Sequence, residues 1–244
     1  MTRTTTCNPE LHGCSPEKSL KKIVKHEAGH ALALWLLDRY LGGVCILEYG
    51  GVTVSLSAEK PPQVPSFHLL YALAGMEMAN DVDLIEDLRD HVATPDYFQK
   101  GSDSWLASTL VKGFKGTPLG VFLIHQVVLT RFRNRFRRPY KELVDLLLKE
   151  PHAIGAVEAY ELFGRWDKEF GFDKRPKSDF VARALMREFK WKPPRCKWLD
   201  WDMTPLDGWQ YSRVPLKRVA ELAREELFYE GNSKKQKRDE VINK

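Results

Sequence analysis

Two histidines four residues apart, His26 and His30, with Glu27 directly after the first, are the residues of this chain whose types and spacing predict chemistry. Positions i and i+4 of a helix share a face, so both imidazoles can reach one ion. A His-Glu-x-x-His pattern on a helix is typical of a zinc site in which the Glu is the general base. The pentapeptide predicts a zinc hydrolase with His26 and His30 as metal ligands and Glu27 as catalytic residue.

The surrounding residues predict the helix that carries this pattern. Ser15 suits an N-cap, Pro16 suits the first helical position and Gly42-Gly43 suit a helix end, so we expect a helix from Pro16 to Tyr40. Gly29 leaves little bulk beside the histidines, where a second element or a substrate would approach closely. The apolar residues expected to bury one side of the helix are Leu20, Val24, Ala31 and Trp35.

A catalytic zinc ion takes three protein ligands, so a third ligand must come from another part of the chain. Spacing does not choose among the downstream carboxylates and histidine. The candidates are Glu77, Asp81, Asp83, Glu86, Asp87, Asp90, His91, Asp96 and Asp103. The alternative is a solvated helix on which two histidines share a face by chance.

Residues 26 to 32, His-Glu-Ala-Gly-His-Ala-Leu, resemble the active-site helix of the peptidase domain of FtsH-type ATP-dependent zinc proteases. The β-rich runs from Val44 to Ser55 and residues 73 to 79 and 101 to 108 extend this resemblance over about residues 18 to 166. The family's third zinc ligand is an Asp in the last of these segments. The resemblance therefore implies that Asp103 is the third ligand, in the first turn of a helix capped by Ser102.

The resemblance also implies the architecture. We expect a mainly α fold, α+β with a small β-hairpin, in which a zincin-like FtsH-type peptidase domain spans residues 15–166. A Trp-rich helical extension is expected at 167–230, between a disordered lead at 1–14 and a basic disordered tail at 231–244. Departures from the family are Met76 in place of an Arg and about ten extra residues before Asp103.

The helix and loop patterns divide the rest of the chain into further elements. We expect an acidic connection from Asp81 to Lys100 between two helices, and helix starts at Pro139 and Pro151, the latter helix ending near Gly164. The other expected helices are 66 to 80, one opening at Ser102, one ending at Arg138, 178 to 189 and 215 to 229.

The expected activity is that of a zinc-dependent metalloendopeptidase acting on unfolded or small protein substrates. The alternative is a catalytically weak FtsH-like regulator or adaptor that binds a protease or its clients; the intact His26, Glu27 and His30 argue against it. No Gly-x-x-x-x-Gly-Lys-Ser/Thr loop occurs, so we expect the family's ATPase module to be absent. Expected partners are a polypeptide substrate, with a separate AAA unfoldase and a homo-oligomer left open.

Composition limits the location and partners. The four Cys show no paired spacing, and no apolar run reaches the roughly twenty residues of a membrane span, so we expect a cytoplasmic protein without membrane segments. The five Arg between Arg131 and Arg138 suggest a nucleic-acid patch. We favour a helix that buries Phe132 and Phe136 and leaves its Arg side chains to solvent or to acidic groups, so nucleic acid is not expected as a partner.

Overall fold

A computed structural model describes residues 16–47, 50–56, 65–114, 116–172 and 177–188. This part of the chain is mainly helical, with a small antiparallel sheet of three strands, which confirms the predicted fold class at that level. None of its helices combines the length and the apolar character needed to cross a membrane. The lead, the basic tail and the part of the predicted extension from residue 189 on, which includes the helix at 215 to 229, lie outside these residues.

The helices and strands follow one another in a simple order. The helices are α1 (Pro16–Leu36), α2 (Pro65–Ala79), α3 (Val82–His91), α4 (Asp103–Val111), α5 (Pro118–Arg135), α6 (Arg137–Leu147), α7 (Ala156–Phe170) and α8 (Lys177–Glu188). A short 3₁₀ helix spans Pro95–Tyr97, and the strands are β1 (Tyr40–Leu47), β2 (Gly50–Leu56) and β3 (Ala153–Gly155).

Helix α1 ends at Leu36, so the prediction that it continues to Tyr40 was wrong. The reason is Asp38, whose φ of 54° places it in the left-handed region that Asp tolerates better than most residues. The Asp38 amide donates to the Trp35 carbonyl at 3.3 Å and the following amide donates to the Leu34 carbonyl at 2.9 Å. This pair of bonds is a Schellman motif that ends the helix before any glycine.

The predicted hairpin is present as strands β1 and β2, which pair from Tyr40 opposite Leu56 to Leu47 opposite Gly50. Gly42-Gly43, expected to end α1, lie in β1, where the pairing register shifts. Strand β3, which the sequence did not predict, pairs with the other side of β1. The order β2-β1-β3 therefore leaves β2 at an edge of the sheet.

Helix α2 lies against α1, and the closest approach is at Gly29. A Cβ atom there would stand 2.5 Å from the carbonyl oxygen of Ala74, so only glycine permits this contact. The close approach that the small residues of α1 suggested is thus made by α2. The segment from Asp81 to Lys100 was expected as a connection, yet it contains α3, capped by Asp81, which accepts from the Leu84 amide at 3.5 Å.

The arginine-rich stretch spans the end of α5 and the start of α6, with a break at Phe136 instead of the predicted Pro139. Phe132 and Phe136 are buried, as predicted. Arg133 donates to the Glu77 carbonyl at 3.0 Å, at the end of α2. The stretch therefore holds helices together through its apolar side chains and through Arg133.

Helices α7 and α8 are the last two helices of the described residues. Helix α7 continues past Gly164, where an end was predicted, and starts at Ala156 instead of Pro151, because β3 occupies the preceding residues. Gly171 ends α7 in the left-handed conformation, with φ 69°. Helix α8 was predicted to within one residue at each end.

Trp35, on α1, is the centre of an aromatic cluster that joins α1 to the C-terminal helices. Its indole nitrogen donates to Asp167 on α7 at 2.8 Å. Lys177, at the start of α8 and only 2% exposed, contacts Asp38 at 3.1 Å and Asp167 at 2.9 Å. Rings within 6.4 Å of the Trp35 ring belong to Phe136, Phe163, Trp166, Phe170 and Phe172.

Candidate metal centre

Helices α1 and α4 bring together His26, His30 and Asp103, the three residues expected to hold zinc. The Nε2 atoms of both histidines lie 3.0 Å from the same oxygen, Asp103 Oδ2, and 3.1 Å from each other. His30 and Asp103 are 73 residues apart in the chain. One carboxylate oxygen and two imidazole nitrogens therefore form a nearly equilateral triangle.

The first turn of α4 positions Asp103. Ser102 is the N-cap, as expected, and its hydroxyl accepts from the Trp105 amide at 3.1 Å. Other third-ligand candidates are engaged elsewhere: Asp81 pairs with Lys22 at 3.0 Å, and Asp87 accepts from the Tyr97 hydroxyl at 3.1 Å. Within the described residues, only the set containing Asp103 has the spacing of a metal site.

His30 is oriented by its second ring nitrogen. Nδ1 lies 3.0 Å from the carbonyl oxygen of Tyr71 on α2, and a carbonyl can only accept, so Nδ1 carries a proton. In the neutral ring, Nε2 then presents its lone pair to His26 and Asp103. A backbone carbonyl behind one nitrogen with the other nitrogen free to ligate is the usual arrangement of a metal-binding histidine.

The triangle needs a cation. Without a metal, a carboxylate oxygen and a lone pair face each other at 3.0 Å, and a proton is the only cation that can intervene. Burial lowers the pKa of the His30 imidazole, but the Asp103 carboxylate, together with Glu27 and the Tyr71 carbonyl, outweighs burial, so the pKa lies above its ordinary value. Burial likewise raises the pKa of Asp103, and the two imidazoles outweigh it, so that pKa lies well below its ordinary range.

The residues present fit a zinc ion. Tetrahedral zinc with bonds of about 2.0 Å holds its ligand atoms about 3.3 Å apart, close to the observed 3.0 to 3.1 Å. Asp103 Oδ1 is buried and has no hydrogen-bond partner within the described residues. Two imidazoles and one carboxylate are donors that zinc accepts and leave room for a water molecule or substrate.

Gly75, on α2, keeps this space open. A Cβ atom at this position would lie 2.5 Å from His26 Nε2 and 2.7 Å from His30 Nε2. The side chain of any larger residue would therefore collide with the two Nε2 atoms that form corners of the triangle. Gly75 is a further residue of the site because it supplies the volume into which an ion fits.

Glu27, the expected general base, is held by strand β2 and is only 1% exposed. The Thr53 hydroxyl donates to Glu27 Oε2 at 2.6 Å. A Cβ atom at Gly51, two residues earlier on the same face of β2, would stand 2.3 Å from Glu27 Cγ. The edge strand thus lies directly against the carboxylate that the pentapeptide places beside the ligands.

Access to the centre is through His26. Its side chain is 15% exposed, whereas those of His30 and Asp103 are 1% and 3% exposed. The burial of His30 and Asp103 lowers the local dielectric constant, which would strengthen the attraction between a cation and the carboxylate.

Four residues of the site were not anticipated from the sequence: Gly51, Thr53, Tyr71 and Gly75. A glycine in the middle of an otherwise apolar helix signals a close approach, and Gly75 carried that signal. Tyr71 contacts His30 through its backbone carbonyl, which any residue supplies, and through its ring at 4.7 Å, and neither contact had a signal in the sequence. Thr53 resembles any strand residue, since threonine is common in strands.

Comparison of the chain with models of protein families, with curated proteins and with solved structures finds no match in any of the three.

Proposed function

We propose that this protein is a zinc-dependent metalloendopeptidase that resembles the proteolytic domain of FtsH. The observation that carries the proposal is the triangle of His26 Nε2, His30 Nε2 and Asp103 Oδ2, with sides of 3.0 to 3.1 Å and with Glu27 next to His26 in the chain. Two imidazoles, one carboxylate and an adjacent second carboxylate are the side chains that metal-assisted hydrolysis requires.

His26, His30 and Asp103 would hold the zinc ion, and a bound zinc ion supplies Lewis acidity that polarises a carbonyl and makes water more acidic. Glu27 is the proton carrier: its carboxylate takes a proton from water and returns it to the nitrogen of the departing amine. The charge of Asp103 balances part of the cation's charge. The burial of the triangle excludes bulk water from it.

The substrate class follows from strand β2, which lies at the sheet edge and against Glu27. An extended polypeptide can add to a strand edge by main-chain hydrogen bonds, which read backbone and little sequence. We therefore propose unfolded or small proteins as substrates. The resemblance leaves open a separate AAA unfoldase that delivers them and a homo-oligomeric assembly, and the proposed cytoplasmic location rests on the composition of the chain.

Metal content and cleavage of an unstructured protein such as casein test the proposal together. We expect about one zinc per chain and cleavage that a chelator stops and added zinc restores. Glu27→Gln should lower the rate at least about a hundredfold with zinc retained, because the Gln amide cannot take a proton. Asp103→Ala should lose zinc and activity together.

Asp90→Ala, an exposed carboxylate on α3, is the matched control and should keep both zinc and activity. Zinc bound by Asp103→Ala as tightly as by the unaltered protein would reject the ligand set. Stoichiometric zinc without any cleavage, together with binding to a protease or its clients, would favour the regulator or adaptor instead.

A further inference from the structure

The inner face of β2 contacts the proposed base at two points. At Gly51 the main chain approaches so closely that a Cβ atom would meet Glu27 Cγ at 2.3 Å and Oε1 at 2.8 Å. At Thr53 the hydroxyl donates to Oε2 at 2.6 Å, a short distance typical of a bond to an ionised carboxylate. The first contact limits where the side chain can swing, and the second fixes the plane of its carboxylate.

We propose that Thr53 is a positioning residue for Glu27, acting with Gly51 as a clamp on the general base. This inference rests on the proposed peptidase function. A glutamate side chain has three rotatable bonds, and a base that must meet a water molecule gains from having its rotamers fixed before substrate binds. Thr53 touches neither the histidines nor Asp103 in the bonds described above, so its role is distinct from metal binding.

Its place on β2 gives the clamp a second consequence. Strand β2 both contacts Glu27 and is the edge strand proposed to pair with substrate. One strand would therefore position the substrate backbone and the carboxylate of the proposed base. A substrate bound to that edge is therefore in a fixed relation to Glu27. Orientation of this kind raises kcat more than it lowers KM.

Thr53→Val and Thr53→Ser separate positioning from simple packing. Valine has nearly the same shape as threonine without the hydroxyl, and serine keeps the hydroxyl. We expect Thr53→Val to lower kcat about ten- to hundredfold with KM within about twofold, and Thr53→Ser to recover most of it. Zinc affinity, measured by competition with a chelator, should be unchanged in both variants.

Thr109→Val, on the exposed surface of α4, is the control for a Thr-to-Val change and should leave kcat and zinc affinity as they are. If Thr53→Val keeps full kcat, or if Thr53→Ser is as impaired as Thr53→Val, positioning by the hydroxyl is rejected while the peptidase function stands. If the unaltered protein binds no zinc or cleaves nothing, the proposed function fails and this inference fails with it.

A double-mutant cycle checks the Gly51 contact without any activity measurement. The φ angle of Gly51 is outside the left-handed region, and the three atoms nearest to a Cβ there all belong to Glu27, so Glu27 is the main obstacle to alanine. Gly51→Ala should lower Tm in the unaltered protein and should not lower it in Glu27→Ala, where the obstructing atoms are gone. Equal Tm changes in the two backgrounds would mean that β2 does not clamp Glu27.

Discussion

Gly75 shows how a single residue without a side chain determines what the site can hold. The two imidazole nitrogens that face it stand 2.5 and 2.7 Å from the position of a Cβ atom, well inside van der Waals contact. Histidine and aspartate are common side chains, whereas the space beside the two imidazoles exists because residue 75 has no side chain. Under the proposed function, zinc binding would therefore depend on Gly75 as well as on His26, His30 and Asp103.

Gly75→Ala tests this dependence. We expect zinc affinity to fall at least about tenfold because the methyl group displaces the imidazoles from the triangle. Zinc content after dialysis and competition with a chelator measure the change. Gly164→Ala, on α7, is the control: no atom lies within 4 Å of its Cβ position, so that variant should keep zinc and gain about 0.5–1 kcal/mol of stability from helix propensity. Normal zinc affinity in Gly75→Ala would contradict the assignment.

At this scale, sequence reasoning located half of the site. His26, Glu27 and His30 lie within one helical turn, and the helix period alone places them together. Asp103 is 73 residues from His30, so no spacing rule could select it, and only the resemblance to FtsH singled it out. Thr53 was missed because its contribution is a contact across elements, which single-residue patterns do not encode, whereas Gly75 had the signal of a helical glycine and was missed because that signal names no partner.

Among the elements, α2 has the most varied surroundings. One face of α2 lies close to α1, at Gly75 of α2 and at Gly29 of α1. Another face meets α5 at Glu77, which is 3% exposed. Burial raises the pKa of Glu77 to about 7, against a hydrogen bond from Gln126 and the charge of Arg133. Glu77 Oε1 has no hydrogen-bond partner within the described residues. A carboxyl in these surroundings keeps its proton in the folded protein at mildly acidic pH.

The pH dependence of stability follows from this proton. The folded state holds it up to about pH 7, whereas the unfolded chain releases it near 4.5, so the free energy of unfolding falls as pH rises through that window. Gln at position 77 stays neutral in both states. Glu77→Gln should match the unaltered protein most closely at pH 5 and exceed it by about 1–3 kcal/mol at pH 8, as measured by urea unfolding.

Glu86→Gln, an exposed change on the neighbouring helix α3, is the control for the loss of one negative charge. If both variants respond to pH in the same way, the effect comes from net charge and the buried carboxyl at position 77 is not its source.

Prediction of elements from the sequence succeeded where the pattern was long and failed where it was short. Helix α8 and the hairpin were located to within a few residues, since their periods are clear over many positions. Helix α3 was missed because half of its ten residues are charged and its N-cap, Asp81, is equally typical of an acidic loop. Strand β3 has only three residues, and its pairing with β1 involves residues far away in the chain.

On the scale of the whole molecule, the cluster around Trp35 holds the N-terminal and C-terminal parts together. Lys177 is buried there with Asp38 and Asp167, and its ammonium lies 5.8 Å from the centre of the Trp35 ring. A buried ion pair adds little over an apolar contact, yet removal of one partner leaves the other charge without compensation. Lys177 therefore contributes a buried ionic contact to the attachment of α8.

Lys177→Met should destabilise the protein by about 3–5 kcal/mol, because Asp38 and Asp167 then lose the buried ammonium that both contact. Asp38→Asn and Asp167→Asn added to it should recover much of that loss, and asparagine also tolerates the left-handed backbone of position 38. Denaturant unfolding measures the free energy of unfolding of Lys177→Met and of the variants with the added Asn changes. Lys141→Met, which breaks the exposed pair with Asp145, should cost no more than about 0.5 kcal/mol. Equal losses at positions 141 and 177 would argue against the buried pair.

Helix α8 lies late in the chain, yet it contacts α1, the helix that carries His26 and His30. Trp35 follows His30 by five residues on the same rigid rod, a rise of about 7.5 Å. The C-terminal end of α1 packs in the aromatic cluster, and Lys177 at the start of α8 contacts both Asp38 and the Trp35 ring there. Under the proposed function, removal of α8 would take Lys177 out of this cluster and displace α1 with the two proposed zinc ligands it carries, so cleavage of the chain beyond α7 is expected to lower activity.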